Sequence, residues 1–348
     1  MKSIHSMIAC LLLILILGCS DSGTEPEAES FDYSSVWSST VSEYLNEPLW
    51  LARDTNDACH ALMVPLHTAF AWNNQSWQND FHAHFANFYE RSDELDSGRL
   101  NRLHYLLFAA RYLVLCEQNG QGHRMPDGFY SYLSQTIIEL WLAPAWHWAF
   151  PDFESMETRL IWKLDNVDVE PSYYRAITDE EKFTFSMAAD IAIYSAAVDS
   201  VCPSAIIDIL DWAEFVFTTE VKDTEVGGWL FQAGVWTDHR DFAYAGNDTM
   251  HQGILPLPIE GISADSSHSH RDALELQSLM MASEPGSARY LLYRDLLDRL
   301  AVQFLQMVVG PSQQDSEAVF LRNFMDGGNG VYRWGYETQG EGQGYGPW

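Results

Sequence analysis

Apolar residues recur at three- and four-residue steps through most of the chain, and this pattern predicts a protein built mainly of helices. The pattern is clearest at 103–114 and 206–217, where the apolar positions form one stripe along each predicted helix. Weaker versions of it bring the predicted number of helices to about nine, with the others at 33–46, 56–71, 77–91, 128–143, 180–199, 269–283 and 287–309.

The helical period disappears in two stretches, 221–264 and 323–348, where Gly, Trp, Asp and Pro become frequent. We expect long loops or short strands there. Helix pairs whose aromatic and glycine-rich segments lie in the connections are typical of helical hairpins stacked around a common axis. The sequence therefore predicts a mainly α fold, an α/α toroid with a few short strands, in which the loops at one end form a cleft.

The N-terminus has the layout of a secretory signal, with a charged residue followed by the apolar run 7–17. This run is too short to cross a bilayer, which takes about 20 apolar residues. The sequence Gly18-Cys19 resembles the bacterial lipobox, which implies a signal peptide at 1–18 and a lipid on Cys19 that attaches the chain to a membrane. Because Ser20 rather than an aspartate follows the cysteine, the resemblance implies the outer membrane of the cell envelope.

The remainder divides into a tether and one domain. Residues 19–32 are rich in Ser, Glu, Asp, Gly and Pro, a composition that cannot bury a core, so we expect a flexible acidic tether. The uniform composition from 33 to 348 predicts a single helical domain. Its three cysteines show no metal or redox spacing, and either one disulfide with a free thiol or three buried thiols fits them: Cys59, Cys116 and Cys202.

The charge balance restricts the partners of this domain. The chain has 49 acidic and 19 basic residues, a formal net charge of −30. Nucleic acids and anionic membrane surfaces bind clustered Lys and Arg, so the balance argues against both as partners. A polyanionic substrate would require the few arginines to converge locally.

Three segments concentrate residue types that bind or transform sugars, and the first is 227–247. Its aromatic side chains can stack on sugar rings, its carboxylates and amides can bond hydroxyls, and its glycines let a ligand approach the backbone. The candidates from it are Trp229, Trp236, Asp238, His239, Tyr244 and Asn247. The alternative is an ordered loop whose tryptophans cap the core.

The second segment, 265–272, is a polar cluster just before a predicted helix. Its candidates are His268, His270 and Arg271. Asp265 or Ser267 is suited to cap the helix. Histidines two residues apart point to the same side of the backbone only in an extended segment. A metal site would also need at least one further ligand. We therefore predict neither a metal nor another cofactor. A catalytic or binding histidine competes here with a capping or core histidine.

The same spacing recurs at His82 and His84, inside a predicted helix. On a helix two such side chains diverge by about 200°, which indicates structural histidines. His60 and His67 are seven residues apart and share one helix face, which either lines a cleft or packs against aromatic neighbours.

The third segment is 323–336. Its Asp-Gly and Asn-Gly pairs predict a tight hairpin connection at 326–330. The following Tyr332, Arg333 and Trp334 can together stack on a ring and pair with a carboxylate.

These segments are similar to features of α/α-toroid carbohydrate-active proteins, which include polysaccharide lyases and some glycosidases and epimerases. The similar features are Gly-Gly-Trp-Leu at 227–230, the Ser-His entry to a helix at 267–268 and the Asp-Gly to Tyr-Arg stretch at 326–333. The resemblance implies a polysaccharide or oligosaccharide as ligand. Nucleotide-binding glycine loops, nucleophile elbows and His-Glu-x-x-His motifs do not occur in the sequence.

Three functions compete within this class. A lyase that cleaves a uronic-acid-containing glycan by β-elimination needs a base, an acid and a group that neutralises the carboxylate. Those roles fit His268 or His239, Tyr244 or Tyr332, and Asn247 with Arg271 or Arg333, respectively. A glycoside hydrolase needs two carboxylates instead, from Asp238, Asp241, Glu260, Asp265 and Asp272. The third is a lipoprotein that binds polysaccharide, or supports an export or surface assembly, without turnover. The lyase is our first expectation.

Overall fold

A computed structural model of the chain describes residues 32–51, 54–310, 319–334 and 344–347. The predicted signal peptide, Cys19 and all of the predicted tether except Asp32 lie outside these residues, so these features stay predictions. In the part of the chain that is described, no helix has the length and apolar character that crossing a membrane requires.

Helices form most of the described chain, which confirms the mainly α fold. The long ones are α1 Asp54–Ala71, α2 Gln75–Glu90, α3 Arg99–Gln118, α4 Phe129–Leu142, α5 Met156–Asp165, α6 Asp179–Ala197, α7 Ser204–Thr219, α8 Asp272–Met281 and α9 Ala288–Gln303. Short α-helical segments are Tyr33–Val36, Glu43–Leu45 and Ser266–Ser269, π-helical ones are Trp37–Ser42 and Phe304–Val308, and 3-10 turns are Ser92–Glu94, Gly122–Arg124, Ser172–Arg175 and Arg240–Phe242. Two short strands, β1 Val221–Asp223 and β2 Trp229–Phe231, pair antiparallel.

Helix α5 is the long helix that the apolar pattern does not predict. Its start is fixed by a capping box, in which Ser155 and Thr158 bond each other's backbone N–H groups. The buried face of α5 includes Arg159 and Lys163, whose charges interrupt the apolar stripe. Both cations are paired with glutamates at the start of α6, and that pairing allows them to be buried.

Four helices pack as a row in the order α1, α3, α6 and α8. A second set lies against them, with α2 on α1, α4 and α7 on α6, and α9 on α8. Because α6 has neighbours on several sides, most of its residues are buried and it lacks a single apolar face.

The N-terminal ends of the four helices in the row lie together. Asn56 in the first turn of α1 bonds His104 in α3, at 3.3 Å. Asp179, the first residue of α6, pairs with Arg271, which immediately precedes α8, at 2.5 Å. The connections that enter these helices therefore meet at one end of the row.

The interior is rich in aromatic side chains and includes a buried ion pair. Phe81, Phe85 and Phe108 pack against each other between α2 and α3. Deeper in the row, Arg111 of α3 and Asp190 of α6 approach to 3.0 Å, and both are almost fully buried. The three described cysteines are free thiols, which excludes the predicted disulfide among them. Of the three buried thiols that the other alternative predicted, Cys59 and Cys116 are buried and Cys202 is half-buried.

The turn predicted at 326–330 is present, but it does not join a hairpin of strands. Phe324 N–H donates to Gly328 O at 3.0 Å, and Gly327 has a φ of 92° that suits glycine. The flanking residues instead form isolated bridges with other segments, Phe324 with Asp265 and Tyr332 with Tyr345. The turn thus brings the third segment against the second.

Candidate active site

The three predicted segments converge at the end of the helix row where the N-termini lie. A small apolar cluster joins the first and third segments, and it consists of Phe242, Ala245, Ile262, Phe324 and Tyr332. It is separate from the main core. The second segment is attached to this cluster by the bridge between Asp265 and Phe324. Polar residues next to members of this cluster, chiefly Asp241, Asp265 and Arg333, are thereby held close together.

Asp265 and His268 form a hydrogen-bonded pair at the start of the short helix 266–269. The Asp265 carboxylate caps this helix by accepting the His268 backbone N–H at 3.0 Å. The same carboxylate lies 2.8 and 2.9 Å from His268 Nδ1. Asp265 is buried, whereas the His268 side chain is 32% exposed. A buried carboxylate therefore orients a solvent-accessible imidazole.

This contact fixes the tautomer of His268. An ionised carboxylate only accepts hydrogen bonds, so Nδ1 carries the hydrogen and Nε2 of the neutral ring carries the lone pair. Nε2 points towards Arg333, whose Nη2 is 3.5 Å away. The Nε2 lone pair accepts this long contact from Arg333 in the structure. Once Arg333 binds a substrate, Nε2 can take a proton from that substrate, and the aspartate stabilises the imidazolium that results.

Several donors keep Asp265 ionised. Burial alone would raise the pKa of Asp265, but hydrogen bonds and the charge of His268, with Ser267 and Tyr332, lower it to about 2. The Tyr332 hydroxyl donates to Asp265 Oδ2 at 3.0 Å. Burial and this carboxylate raise the pKa of Tyr332 well above its usual value, and its ring is 3% exposed. Tyr332 is placed to position Asp265, not to reach a ligand.

Arg333 is held beside His268 by Asp241. Its Nε donates to Asp241 Oδ2 at 3.0 Å, and its backbone N–H donates to Asp241 O at 2.9 Å. Arg333 has a φ of 57°, a left-handed conformation that is uncommon for a residue with a side chain and recurs at functional sites. The guanidinium is thus fixed next to Nε2, where it can bind an anionic group of a substrate.

A second polar group surrounds Arg271 at the ends of α1, α3 and α6. Arg271 Nη2 lies 3.4 Å from His60 Nε2, and the His60 ring lies 5.0 Å from His104 and 6.5 Å from His270. Burial and the charge of Arg271 lower the pKa of His60 to about 4, so this histidine is neutral at pH 7. In the described ranges, no three His, Cys, Asp or Glu side chains form a group that could hold a metal ion.

Comparison of the chain with protein-family models, curated proteins and solved structures finds no match. A function is therefore proposed from the arrangement of side chains at this site.

Several predicted site residues have other roles in the structure. Trp229 is 2% exposed and its indole N–H donates to Leu296 O at 2.8 Å, so it packs in the core and offers no open face to a sugar. The Asn247 amide donates to Tyr244 O and Leu255 O and stabilises its own loop. Asp238 accepts the Ser172 backbone N–H at 3.0 Å and connects two loops.

The remaining candidates lie on the loop surface around the Asp265–His268 pair. Trp236 and His239 are half-buried, with ring centroids 5.4 Å apart. The Nδ1 atom of His239 accepts the Asp241 backbone N–H at 3.3 Å, and burial lowers the pKa of His239 despite the nearby Asp241. Tyr244 and Trp334 are half-buried neighbours at 6.2 Å.

Sequence reasoning did not identify Asp265 as the partner of His268. The spacing Asp-x-x-His at a helix start is the sequence signal for this contact, because a capping side chain meets the residue three positions later. His104 was not singled out at all, since it lies within an apolar helix and carries no local signal.

Proposed function

We propose that this chain cleaves a uronic-acid-containing polysaccharide by β-elimination. The observation that carries the proposal is the Asp265–His268 pair, whose Nε2 lone pair lies beside the guanidinium of Arg333. A base next to a fixed cation suits abstraction of a proton from the carbon adjacent to a carboxylate.

In the proposed reaction, Arg333 pairs with the uronate carboxylate and stabilises the charge that develops on it. His268 Nε2 takes the C5 proton, a C4–C5 double bond forms, and the bond from C4 to the leaving oxygen breaks. The leaving oxygen then needs a proton. Tyr244 is better placed for this than Tyr332, because Tyr244 is half-buried on the loop surface and the Tyr332 hydroxyl is engaged by Asp265.

His268 is preferred to His239 as the base. His268 has a carboxylate partner that sets its tautomer, whereas Nδ1 of His239 accepts a backbone N–H. The hydrolase alternative is less well supported, because the nearby carboxylates are already paired: Asp265 with His268, Asp241 with Arg333 and Asp272 with Lys182.

The proposed architecture is an α/α toroid with its cleft at the end where these loops meet. The row of α1, α3, α6 and α8, with α2, α7 and α9 against it, is compatible with successive hairpins. The 3.4 Å approach of His60 in α1 to Arg271, before α8, supports the idea that the row curves and brings its ends together.

The proposed location is the outer membrane of the cell envelope, with the lipid on Cys19 as the anchor. The lipobox resemblance supports this location, and polysaccharides are accessible there. The partners we propose are an acidic polysaccharide or oligosaccharide and, through the lipid, the membrane. The acidic composition supports a function without nucleic acid.

The proposal is tested by incubating the purified chain with a panel of neutral and acidic polysaccharides. Ultraviolet absorbance of unsaturated uronates and the number of new reducing ends are followed together. We expect both signals to grow with an acidic polymer. Reducing ends without absorbance would favour hydrolysis, and binding without either signal across the panel would refute both enzymatic functions.

A further inference from the structure

Aromatic side chains form a continuous series on the surface beside the candidate active site. We call it the aromatic track, and its members are Trp146, Trp148, Tyr173, His239 and Trp236. Successive ring centroids lie 5.3, 5.6, 5.0 and 5.4 Å apart. Trp146 is 38% exposed and the others are half-buried, so part of each ring is open to solvent.

The rings of the track are inclined to one another, as many aromatic pairs in the core of this protein are. Their planes are inclined by 64°, 88°, 83° and 83° from one ring to the next. Neighbouring rings thus meet edge to face, and their faces are turned in different directions along the track.

The track is connected to the Asp265–His268 pair through two buried rings. Trp236 stacks on Phe242 with a centroid distance of 5.5 Å, and Phe242 lies 5.1 Å from the ring of Tyr332, which donates to Asp265. Phe242 and Tyr332 are each 3% exposed, so this link runs beneath the surface, and Trp236 packs on the same apolar cluster that supports the Asp265–His268 pair.

Cations lie at both ends of the track, although basic residues are few in this chain. The Arg99 guanidinium lies 4.1 Å from the centre of the Trp146 ring and pairs with the buried Glu180, while its side chain remains 47% exposed. At the other end, Arg240 is 69% exposed and Arg333 lies beside His268. Exposed arginines among aromatic rings complement a ligand that has both apolar faces and carboxylates.

We propose that the aromatic track binds the part of an acidic polysaccharide that extends beyond the residue held at His268. The ligand class rests on the proposed function, but the inference concerns binding and can fail separately. The C–H faces of successive sugar rings pack on the aromatic rings, and the carboxylates approach the arginines. Short oligosaccharides occupy the Asp265–His268 end only, whereas a long chain also covers the track.

The test compares Trp146→Ala and Tyr173→Ala with wild type. The matched control is Trp72→Ala, because Trp72 is also exposed, at 52%, but follows the C-terminal end of α1, roughly 27 Å along that helix from its N-terminal end. Trp146→Phe retains an aromatic ring and should restore binding. Thermal unfolding of each variant checks that it is folded.

Binding of alginate, polygalacturonate and hyaluronan is measured by affinity electrophoresis. We expect at least one polymer to bind wild type, and both alanine variants of the track to bind it at least about tenfold more weakly. The control should bind as wild type does, and the carboxyl-reduced form of the same polymer should bind less well. Trisaccharides should not distinguish the variants from wild type.

Equal binding by wild type and both track variants would overturn the inference, and so would the absence of binding to all three polymers. Loss of binding in the track variants without any unsaturated product from wild type would leave the track in place and refute β-elimination. Formation of unsaturated product by both track variants with the KM of wild type would instead overturn the inference about the track and leave the proposed β-elimination in place.

Discussion

Two histidine pairs with the same spacing have different environments in this protein. His82 and His84 lie on α2, and they are 5% and 3% exposed. Each uses both ring nitrogens in contacts within the protein: His82 with Tyr112 and Gln121, and His84 with Leu45 O and Tyr105. No ring nitrogen of this pair faces solvent, which is typical of a structural role.

His268 and His270 lie where loops meet the start of α8. Nδ1 of His268 contacts a carboxylate, Nε2 lies towards Arg333, and the ring of His270 is exposed. Spacing alone thus does not determine the role of a histidine. What the two nitrogens contact, and whether one can reach a ligand, separates the two pairs.

The largest effect should come from removing the carboxylate that orients His268. In Asp265→Asn the amide no longer holds the hydrogen on Nδ1, so the lone pair on Nε2 is lost in part of the molecules. We expect the rate of unsaturated product formation to fall by about 10²–10⁴-fold. Asp238→Asn, which alters a loop contact, should keep its rate within about tenfold. An equal loss in both variants would favour a mechanism with two carboxylates.

A smaller effect, on stability and not on activity, is expected for the buried pair. His84→Ala leaves a cavity and removes the partner of Leu45 O and the Tyr105 hydroxyl, which should lower the free energy of unfolding by about 3 kcal/mol. Urea unfolding measures this change, and the rate per folded molecule should stay at the wild-type value. A change below about 1 kcal/mol would mean that His84 is not a structural residue.

The pH dependence of stability should distinguish the buried pair further. Burial lowers the pKa of His84 to about 4, while an unfolded histidine titrates near 6.5. Between these values the unfolded chain binds a proton that the folded chain does not, so titration of His84 lowers stability as the pH falls. Between pH 7 and pH 5, titration of His84 lowers the free energy of unfolding by about 2 kcal/mol. His84→Gln should lack this loss of stability. The same pH dependence of stability in His84→Gln and in wild type would contradict the assignment to His84.

The smallest effect is expected at His270. The ring is exposed and its Nδ1 contacts Ser267 O at 2.6 Å, so His270→Ala should change the free energy of unfolding by less than about 0.5 kcal/mol. A few-fold increase in KM would agree with a binding role at the edge of the site. A fall of more than tenfold in kcat would instead place His270 in the chemistry and weaken the contrast with His268.

The apolar pattern was sufficient for α7, which buries one face, and it also located α3, although that helix is buried on all sides from Leu103 to Val114. It failed for α5, whose buried face includes charges. The helix predicted at 33–46 is confirmed as an uninterrupted helical run from Tyr33 to Leu45 with a π-helical middle, Trp37–Ser42. The start of α6 was predictable at Thr178, because its capping box with Glu181 forms within one helical turn. The start of α7 follows Pro203, although no side chain caps that helix.

The site was predictable only in part. The segments with His268 and Arg333 were identified from their residue types, but the contacts that make them a site join positions far apart, such as Tyr332 with Asp265 and Arg333 with Asp241. Residue type also cannot tell a tryptophan on the surface from one in the core, and Trp229 was wrongly expected to face a ligand for that reason.

The central claim is that His268 Nε2 is the base, and its most direct test is the rate of unsaturated product formation by His268→Ala on an acidic polymer that wild type cleaves. We predict that His268→Ala forms unsaturated product about 10²–10⁴-fold more slowly than wild type. Binding of the polymer should be unchanged, because the imidazole contacts the proton that is removed and not the remainder of the polysaccharide. A variant that forms unsaturated product at the wild-type rate would contradict the claim.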